Sequence, residues 1–143
     1  MTQNEKDLLI KDLSARLPYG VKAYVRNWSK IDRKYYEGVY IVDTVCPSSN
    51  TVLVTSDKFA VDVIVGYDYY EIKPYLFPLS SMTEEQKREL YNLVEETAFQ
   101  IIHSEDGNPQ PHIAMDWYNK NHFDYRGLIE EGLVLDATGL NIY

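Results

Sequence analysis

The sequence contains a single cysteine and no long apolar run, and each of these features excludes a class of protein. Cys46 is the only cysteine, so the chain has no internal disulfide and no thiolate metal cluster. No apolar run approaches the roughly 20 residues that cross a bilayer. Residues 1–9 show no basic segment followed by an apolar one, as a signal peptide would. We therefore expect a cytoplasmic protein with no membrane partner.

The sequence also lacks the short motifs that mark nucleophiles and phosphate-binding loops. It contains no GxSxG, GxGxxG, P-loop or paired CxxC. Cys46 precedes Pro47 in a predicted turn, with no neighbouring histidine to activate it, and we expect a buried or half-buried thiol. No cofactor is indicated. The sequence favours a protein without enzymatic activity, unless a site is assembled in three dimensions.

The acidic excess is confined to the second part of the chain. Residues 1–80 contain ten acidic and ten basic residues, whereas residues 81–143 contain twelve acidic and four basic ones. The second part therefore carries the whole net charge of −8. Because acidic surfaces repel the phosphate backbone, nucleic-acid binding is disfavoured there and stays open only for the first part.

An N-terminal helix is predicted from its cap and its periodicity. Thr2 and Glu5 have the spacing of a capping box, in which each side chain accepts a hydrogen bond from an otherwise unpaired N–H. Leucines repeat every four residues from Leu9 to Leu17 and form one apolar face. Pro18 then ends the helix.

Between residues 18 and 78 the apolar period changes to two, which indicates strands. The turn residues 47–50, PSSN, predict a hairpin, and Pro74 indicates an edge or an end of a strand. Strands without helices between them predict a small antiparallel β-barrel or bent sheet, with an SH3-like barrel as the first choice. The five predicted strands are Val21–Arg26, Gly38–Val45, Thr51–Thr55, Phe59–Val65 and Tyr69–Lys73.

The remaining part, about residues 81–133, is predicted to be helical. Thr83 as N-cap with Gln86 three residues later starts a helix whose apolar stripe runs from Leu90 to Ile102. A shorter helix follows near residues 113–121, and two or three C-terminal helices are expected in all. The fold class is therefore α+β, with residues 1–143 forming a single domain whose β-rich part spans about 18–78.

The segment 116–133, DWYNKNHFDYRGLIEEGL, has the spacing of a capped helical corner. Asp124 is placed as the N-cap, and Phe123 and Leu128 have the spacing of a hydrophobic staple. Gly132 stops the helix, with Leu133 packed on Leu128 in a Schellman ending. These roles are structural, not catalytic.

Two acidic residues do not fit this interpretation of the corner. Glu130 and Glu131 lie at the negative end of the predicted helix, where acidic side chains are unfavourable. They are candidate contacts with a partner. The simpler alternative, which we favour, is that Arg126 pairs with Glu130 four residues away on the same face.

A candidate metal site lies in the same part of the chain. His112 and Asp116 are four residues apart on a predicted helix, and His122 and Asp124 follow. Imidazole and carboxylate groups in this number can bind Zn²⁺ or another divalent ion. The HxxxD pattern has none of the specificity of HExxH, so ordinary surface residues are the favoured interpretation.

A second candidate site is the segment 26–38, RNWSKIDRKYYEG, which mixes cations with aromatics. Such a mixture can hold single-stranded nucleic acid by phosphate contacts and base stacking. In the alternative, which we favour, Trp28 and Tyr36 pack on the sheet and the charges solvate a loop between strands. The candidate binding residues are Arg26, Trp28, Lys30, Arg33, Lys34 and Tyr35.

Three blocks of the sequence resemble an uncharacterised family of small phage, prophage and mobile-element proteins of gut anaerobes. The blocks are LPYGVK at residues 17–22, IKPYLFPLSSMTEEQKREL at residues 72–90 and DWYNKNHFDYRGLIEEGLVLDAT at residues 116–138. The resemblance implies a phage or mobile-element origin and the cytoplasm of a bacterial host. It implies no activity and no catalytic residue.

The sequence therefore favours a non-enzymatic binding or adaptor protein whose partner is a protein. Three alternatives remain open. The acidic helical part could mimic DNA and inhibit a host nucleic-acid-binding protein; residues 26–38 could bind single-stranded nucleic acid; or His112, Asp116 and His122 could form a metal-dependent active site.

Overall fold

The chain folds into an N-terminal helix, an antiparallel sheet with two short added strands, and two later helices. The computed structural model describes residues 1–103 and 113–143, and for residues 97–103 only the backbone. The α+β class is confirmed. The elements are α1 (Gln3–Arg16), β1 (Lys22–Ser29), β2 (Lys34–Cys46), β3 (Thr51–Thr55), β4 (Ala60–Ile64), β5 (Tyr70–Pro78), α2 (Glu84–His103), α3 (Ile113–Lys120), β6 (Phe123–Asp124) and β7 (Leu135–Asp136).

Both predicted capping boxes are confirmed. The Glu5 N–H donates to Thr2 Oγ1 over 3.2 Å, and the Glu5 carboxylate accepts from the Thr2 N–H. At the start of α2, Thr83 Oγ1 accepts from the Gln86 N–H over 3.1 Å and Gln86 Oε1 accepts from the Thr83 N–H over 2.9 Å. These reciprocal bonds satisfy N–H groups that have no partner inside the helix.

The sheet is open, so the expected closed barrel is not confirmed. The strand order is β4-β3-β2-β1-β5-β6, and β7 pairs with β5 off this path. All five predicted strands are present, and the pairs among β1 to β5 are antiparallel. The end strands β4 and β6 do not pair in the described chain, so the sheet does not close into a barrel. The SH3-like arrangement stays a prediction.

Pro74 is predicted to mark an edge or an end of a strand, and the second of these is wrong, because β5 continues to Pro78. Pro74 is paired with Ala23, at the limit of the pairing between β5 and β1. Past that point β5 takes two new partners, with Phe77 beside Phe123 of β6 and Tyr75 beside Leu135 of β7, both in parallel. Proline therefore marks a change of partner, where no N–H is required for the ladder.

The core lies between α1 and one face of the sheet, here called the inner face. Alternate residues of β1 and β2 point to it, including Val25 and Val42, and both are buried. Leu9 and Leu13 of α1 pack against this face and are fully buried. Burial of such side chains is the main stabilising term of the fold, at about 1.5–3 kcal/mol for each.

The helix predicted after Asp124 is absent, and a single turn takes its place. Gly127 adopts a left-handed conformation, with φ of 75°, inside the predicted helix and breaks it. The predicted ending is nevertheless present: Gly132 has φ of 73° and donates to the Ile129 carbonyl, while the Leu133 N–H donates to the Leu128 carbonyl over 3.0 Å. This is the bond pattern of a Schellman motif.

Asp124 accepts backbone hydrogen bonds with its carboxylate as an N-cap does, although no helix follows it. Its backbone belongs to β6, paired with Pro78, and its buried carboxylate accepts hydrogen bonds from the N–H groups of Leu128 and Ile129, each over 2.9 Å. The ring contacts of Phe123 are with Trp117, stacked at 5.6 Å between centroids, and with Phe77. Asp124 therefore holds the turn against the edge of the sheet.

Candidate functional site

The segment 26–38 forms the end of a β-hairpin. Strand β1 runs to Ser29 and β2 starts at Lys34, so the predicted loop is reduced to residues 30–33. Lys30 and Arg33 lie in this exposed turn, and Arg33 has a left-handed φ of 54°. The antiparallel register then places Trp28 opposite Tyr35, which sequence spacing alone could not show.

The hairpin brings four of the predicted binding residues onto rigid strands but divides them between two faces. Trp28 and Tyr35 meet edge to face, with ring centroids 4.9 Å apart. The Arg26 guanidinium lies 4.5 Å from the Tyr35 ring centroid, within cation–π range. Lys34 is on the opposite, inner face with Tyr36, its ammonium 4.7 Å from the Tyr36 ring centroid. Trp28 and Tyr36 both lie on strands of the sheet, and the predicted loop charges Arg26 and Lys34 lie on these strands as well.

The face that carries Trp28 and Tyr35 is here called the outer face. It points away from the core, because its residues alternate along each strand with the buried ones. Its members are Lys22, Tyr24, Arg26 and Trp28 of β1, Tyr35, Glu37, Val39 and Ile41 of β2, and Glu71 and Lys73 of β5.

The outer face mixes charges of both signs, with the cations Lys22, Arg26 and Lys73 beside the carboxylates Glu37 and Glu71. Arg26 lies opposite Glu37 in the strand register, and its Nε is 3.8 Å from one carboxylate oxygen of Glu71. The other carboxylate oxygen of Glu71 is 3.6 Å from the Lys73 ammonium. The Tyr24 hydroxyl donates to Glu37 over 2.7 Å. Burial, together with this hydrogen bond, raises the pKa of Tyr24 to about 12. Because Glu71 lies beside both Arg26 and Lys73, these two cations are less available to a phosphate backbone.

The outer face also exposes large apolar side chains, the predicted Tyr35 together with Val39 and Ile41, the last two of which sequence reasoning missed. Tyr35 is 45% exposed, Val39 44% and Ile41 47%. They lie on the same side of β2, whose other side carries the buried Tyr40 and Val42. The signal was present in the run GVYIV at residues 38–42, which is apolar on both faces, as in strands that are covered on both sides.

A buried ionic cluster joins α1 to the C-terminal part and was also missed. Asp12 and Arg16 are fully buried, and Arg16 Nε donates to the Asp12 carboxylate over 2.8 Å. Arg126 Nε donates to the other oxygen of Asp12 over 3.1 Å. Arg16 Nη2 donates to the Phe123 carbonyl over 2.7 Å, and both guanidinium groups face the Tyr125 ring. The spacing of Asp12 and Arg16 was the one sequence signal.

The predicted pairing of Arg126 with Glu130 is wrong. Arg126 is drawn to Asp12 because a buried carboxylate attracts a cation more strongly than a solvated one does. Glu130 and Glu131 are exposed, and neither forms an ion pair in the part of the chain that the structure describes. Their role as contacts with a partner stays a prediction.

His122 lies against Tyr143. It has a left-handed φ of 60°, its ring is stacked 3.7 Å from that of Tyr143, and its Nδ1 is buried without a hydrogen-bond partner. Burial and the nearby cations Arg16 and Lys22 lower the pKa of His122 to about 4. The imidazole is therefore neutral near pH 7 and acts as a packing surface.

The predicted metal ligands are not brought together as far as the structure describes them. His112 lies outside the described residues. Asp116 is exposed on α3, and Asp124 uses both carboxylate oxygens to hold the turn. No group of three or more histidine, cysteine, aspartate or glutamate side chains placed to hold a metal occurs among residues 1–103 and 113–143.

Cys46 is exposed, which corrects the expectation of a buried or half-buried thiol. It ends β2, and the 3-10 turn Pro47–Ser49 follows. Hydrogen bonds with Ser48 and Ser49 lower the pKa of the thiol, the first of them over 3.4 Å between Sγ and Oγ. With no acid–base partner beside it among the described residues, the thiol lacks the geometry of a catalytic nucleophile.

A cleft of about 230 Å³ opens on the inner face beside the hairpin turn, lined in part by Asn27, Asp32, Tyr36, Tyr40 and Phe59. The Tyr36 hydroxyl donates to the Asp32 carboxylate over 2.6 Å inside it. The cleft is smaller than the roughly 300–1,000 Å³ of most small-molecule sites. The outer face, where a larger cleft of about 340 Å³ lies beside Val39 and Ile41, is the stronger candidate site.

None of the helices in the described residues is long and apolar enough to cross a membrane. The resemblance of the three sequence blocks to phage and mobile-element proteins stays a prediction. Comparison of this chain with protein-family models, with curated proteins and with solved structures finds no match.

Proposed function

We propose that this chain is a non-enzymatic binding protein of phage or mobile-element origin, which acts in the cytoplasm of a bacterial host and binds another protein. The contact surface in this proposal is the outer face of the sheet. A protein partner, and not a nucleic acid, fits a face on which carboxylates lie beside the cations.

The observation that carries the proposal is the row of exposed Tyr35, Val39 and Ile41 on a single rigid strand. Apolar side chains that remain clustered in water mark surfaces that are covered in a complex. Aromatic residues and arginine are enriched in such interfaces, and Trp28 and Arg26 lie beside Tyr35. Since strands hold these side chains in place, little conformational entropy is lost on binding.

The test is capture of a partner from the bacterial host, followed by variants of the captured complex. Ile41→Asp places a charge in the apolar row and should weaken the complex at least about tenfold, as loss of an interface anchor does. Val94→Asp is the matched control, since Val94 is 48% exposed and belongs to α2, a different element. Equal binding by Ile41→Asp and the unmodified protein would refute the proposal, as would failure to capture any protein.

A second candidate function is mimicry of DNA by α2. Its side chains Glu84, Glu85, Glu89, Glu95 and Glu96 are all exposed, and among the described residues only Glu84 forms an ion pair, with Lys87 at 3.1 Å. Exposed carboxylates along a helix can occupy a site made for phosphates. In that case Glu95→Gln together with Glu96→Gln abolishes capture while Ile41→Asp leaves it unchanged.

A further inference from the structure

Strand β4 is an edge of the sheet with free backbone groups. It pairs with β3, and it is the first strand in the order of the described sheet. An edge strand presents N–H and C=O groups that can pair with another chain. The exposed residues Ala60 and Asp62 show that this edge is accessible.

The direction of these groups follows from the hydrogen bonds at the two ends of β4. The Ser56 N–H donates to the Phe59 carbonyl, and the Val65 N–H donates to the Asn50 carbonyl, each over 2.8 Å. Because bonded pairs alternate along an antiparallel ladder, Val61 and Val63 are the residues of β4 that bond to β3. The N–H and C=O groups of Ala60 and Asp62 therefore point away from the sheet.

The negative charge of Asp62 determines which strand can be added to this edge. If a second copy of the chain paired in the antiparallel register that uses the whole of β4, Asp62 would lie opposite Asp62 of the second copy. Like charges directly opposite each other destabilise a strand pair, and a charged residue on an edge is a common protection against self-association. A foreign strand with a lysine or arginine at that position is attracted instead.

We propose that β4 receives an extended peptide segment of a partner protein as an added strand, with a lysine or arginine opposite Asp62. The outward groups of Ala60 and Asp62 supply up to four main-chain hydrogen bonds, which give affinity without regard to sequence. Asp62 supplies the selection. Exposed side chains at both ends of β4, Phe59 and Ile64, extend the contact. This inference rests on the proposed function, because it describes how the protein partner is held.

The test uses short acetylated peptides in which threonine and valine alternate around a central lysine or a central glutamate. Binding is followed by NMR on the isotopically labelled full chain. The lysine peptide should shift the amide signals of Ala60 and Asp62 and bind about fivefold more tightly than the glutamate peptide. Asp62→Lys should reverse this preference, whereas Asp68→Lys, a change in the exposed turn after β4, should leave it intact.

Two N-methylated forms of the lysine peptide show whether the backbone is what is recognised. In the first form, methyl groups replace the backbone N–H hydrogens of the lysine and of every second residue from it. These N–H groups would face β4, and their loss should abolish binding. In the second form the intervening backbone nitrogens are methylated, and binding should be unchanged. Equal binding of both forms, no preference between lysine and glutamate, or no shift at Ala60 and Asp62 would each overturn the inference. If strand addition fails while Ile41→Asp still releases the captured partner, the proposed function stands without it.

Discussion

Asp12 and Arg126 are 114 positions apart in the chain, yet Asp12 Oδ1 and Arg126 Nε lie 3.1 Å from each other. The other oxygen of Asp12 accepts from Arg16, so one buried carboxylate lies between two guanidinium groups. Arg16 also donates to the Phe123 carbonyl of β6. This cluster links α1 to the turn that follows β6 and fixes the position of the C-terminal part against the sheet.

Removal of the charge on Asp12 should strongly destabilise the protein. Asp12→Asn leaves the fully buried Arg16 without a counter-charge, and loss of one partner of a buried ion pair costs about 3–5 kcal/mol. The free energy of unfolding in urea measures this loss. Asp7→Asn, on the exposed side of α1, is the matched control and should change stability by less than about 0.5 kcal/mol. Similar stability of the two variants would contradict the role given to the cluster.

The turn after β6 should depend on Asp124. Asp124→Ala leaves the N–H groups of Leu128 and Ile129 without an acceptor in a buried place, which costs about 1–3 kcal/mol for each group that water cannot reach. Thermal unfolding measures the change. Asp136→Ala is the control, because the Asp136 carboxylate accepts from the Thr138 N–H in the same way but in solvent, where water replaces it. An equal loss in both variants would exclude a special role for Asp124.

Protonation of His122 should destabilise the fold. Burial and the cations Arg16 and Lys22 lower its pKa from 6.5 to about 4, so the folded state favours the neutral ring. The unfolded chain takes up the proton near pH 6.5 and the folded chain only near pH 4. Stability from this residue is therefore complete above about pH 6.5 and is lost as the pH falls towards about 4.

The variant His122→Asn tests this pH dependence, since asparagine tolerates the left-handed backbone of this position and does not titrate. Its melting temperature should fall less than that of the unmodified protein between about pH 6.5 and pH 4. Carboxylates titrate in both proteins and cancel in the difference. Parallel curves would show that His122 has no such linkage, and the NMR titration of its ring would then give an ordinary pKa.

Tyr143 should hold the C-terminal segment through its hydroxyl. The hydroxyl donates to the Tyr75 carbonyl over 2.8 Å and accepts from the Lys22 N–H over 2.9 Å. Tyr143→Phe keeps the ring stacked on His122 but removes both bonds, which should cost about 1–2 kcal/mol of unfolding free energy. Tyr91→Phe removes a hydroxyl that bonds to Glu95 in solvent and should have no measurable effect. If only Tyr91→Phe lowered the stability, the Tyr143 hydroxyl would not have the stabilising role given to it.

Features that depend on neighbours in sequence could be predicted before the structure. The caps at Thr2 and Thr83 and the turn at residues 47–50 use groups at most three or four residues apart. The Schellman ending at Gly132 has the same local origin. The helix expected before that ending does not form, because Gly127 adopts a left-handed conformation that interrupts it.

The candidate site could be predicted in composition but not in geometry. The sequence pointed to Arg26, Trp28 and Tyr35, and the structure places all three on the outer face. It did not point to Val39 and Ile41, because alternation alone does not tell which face of an apolar strand is covered. The metal hypothesis relied on linear spacing, which does not place side chains in contact unless one element carries them.

The sequence by itself determined the α+β class, the starts of α1 and α2 and the five antiparallel strands, since propensity, capping and periodicity act over a few residues. Only the tertiary structure decided that the sheet stays open, that β6 and β7 join β5, and that Arg126 pairs with Asp12 and not with Glu130. Those outcomes depend on which distant groups are buried together. In the low-dielectric interior, a charged side chain interacts more strongly with a buried partner than with a partner that is nearer in sequence but lies in solvent.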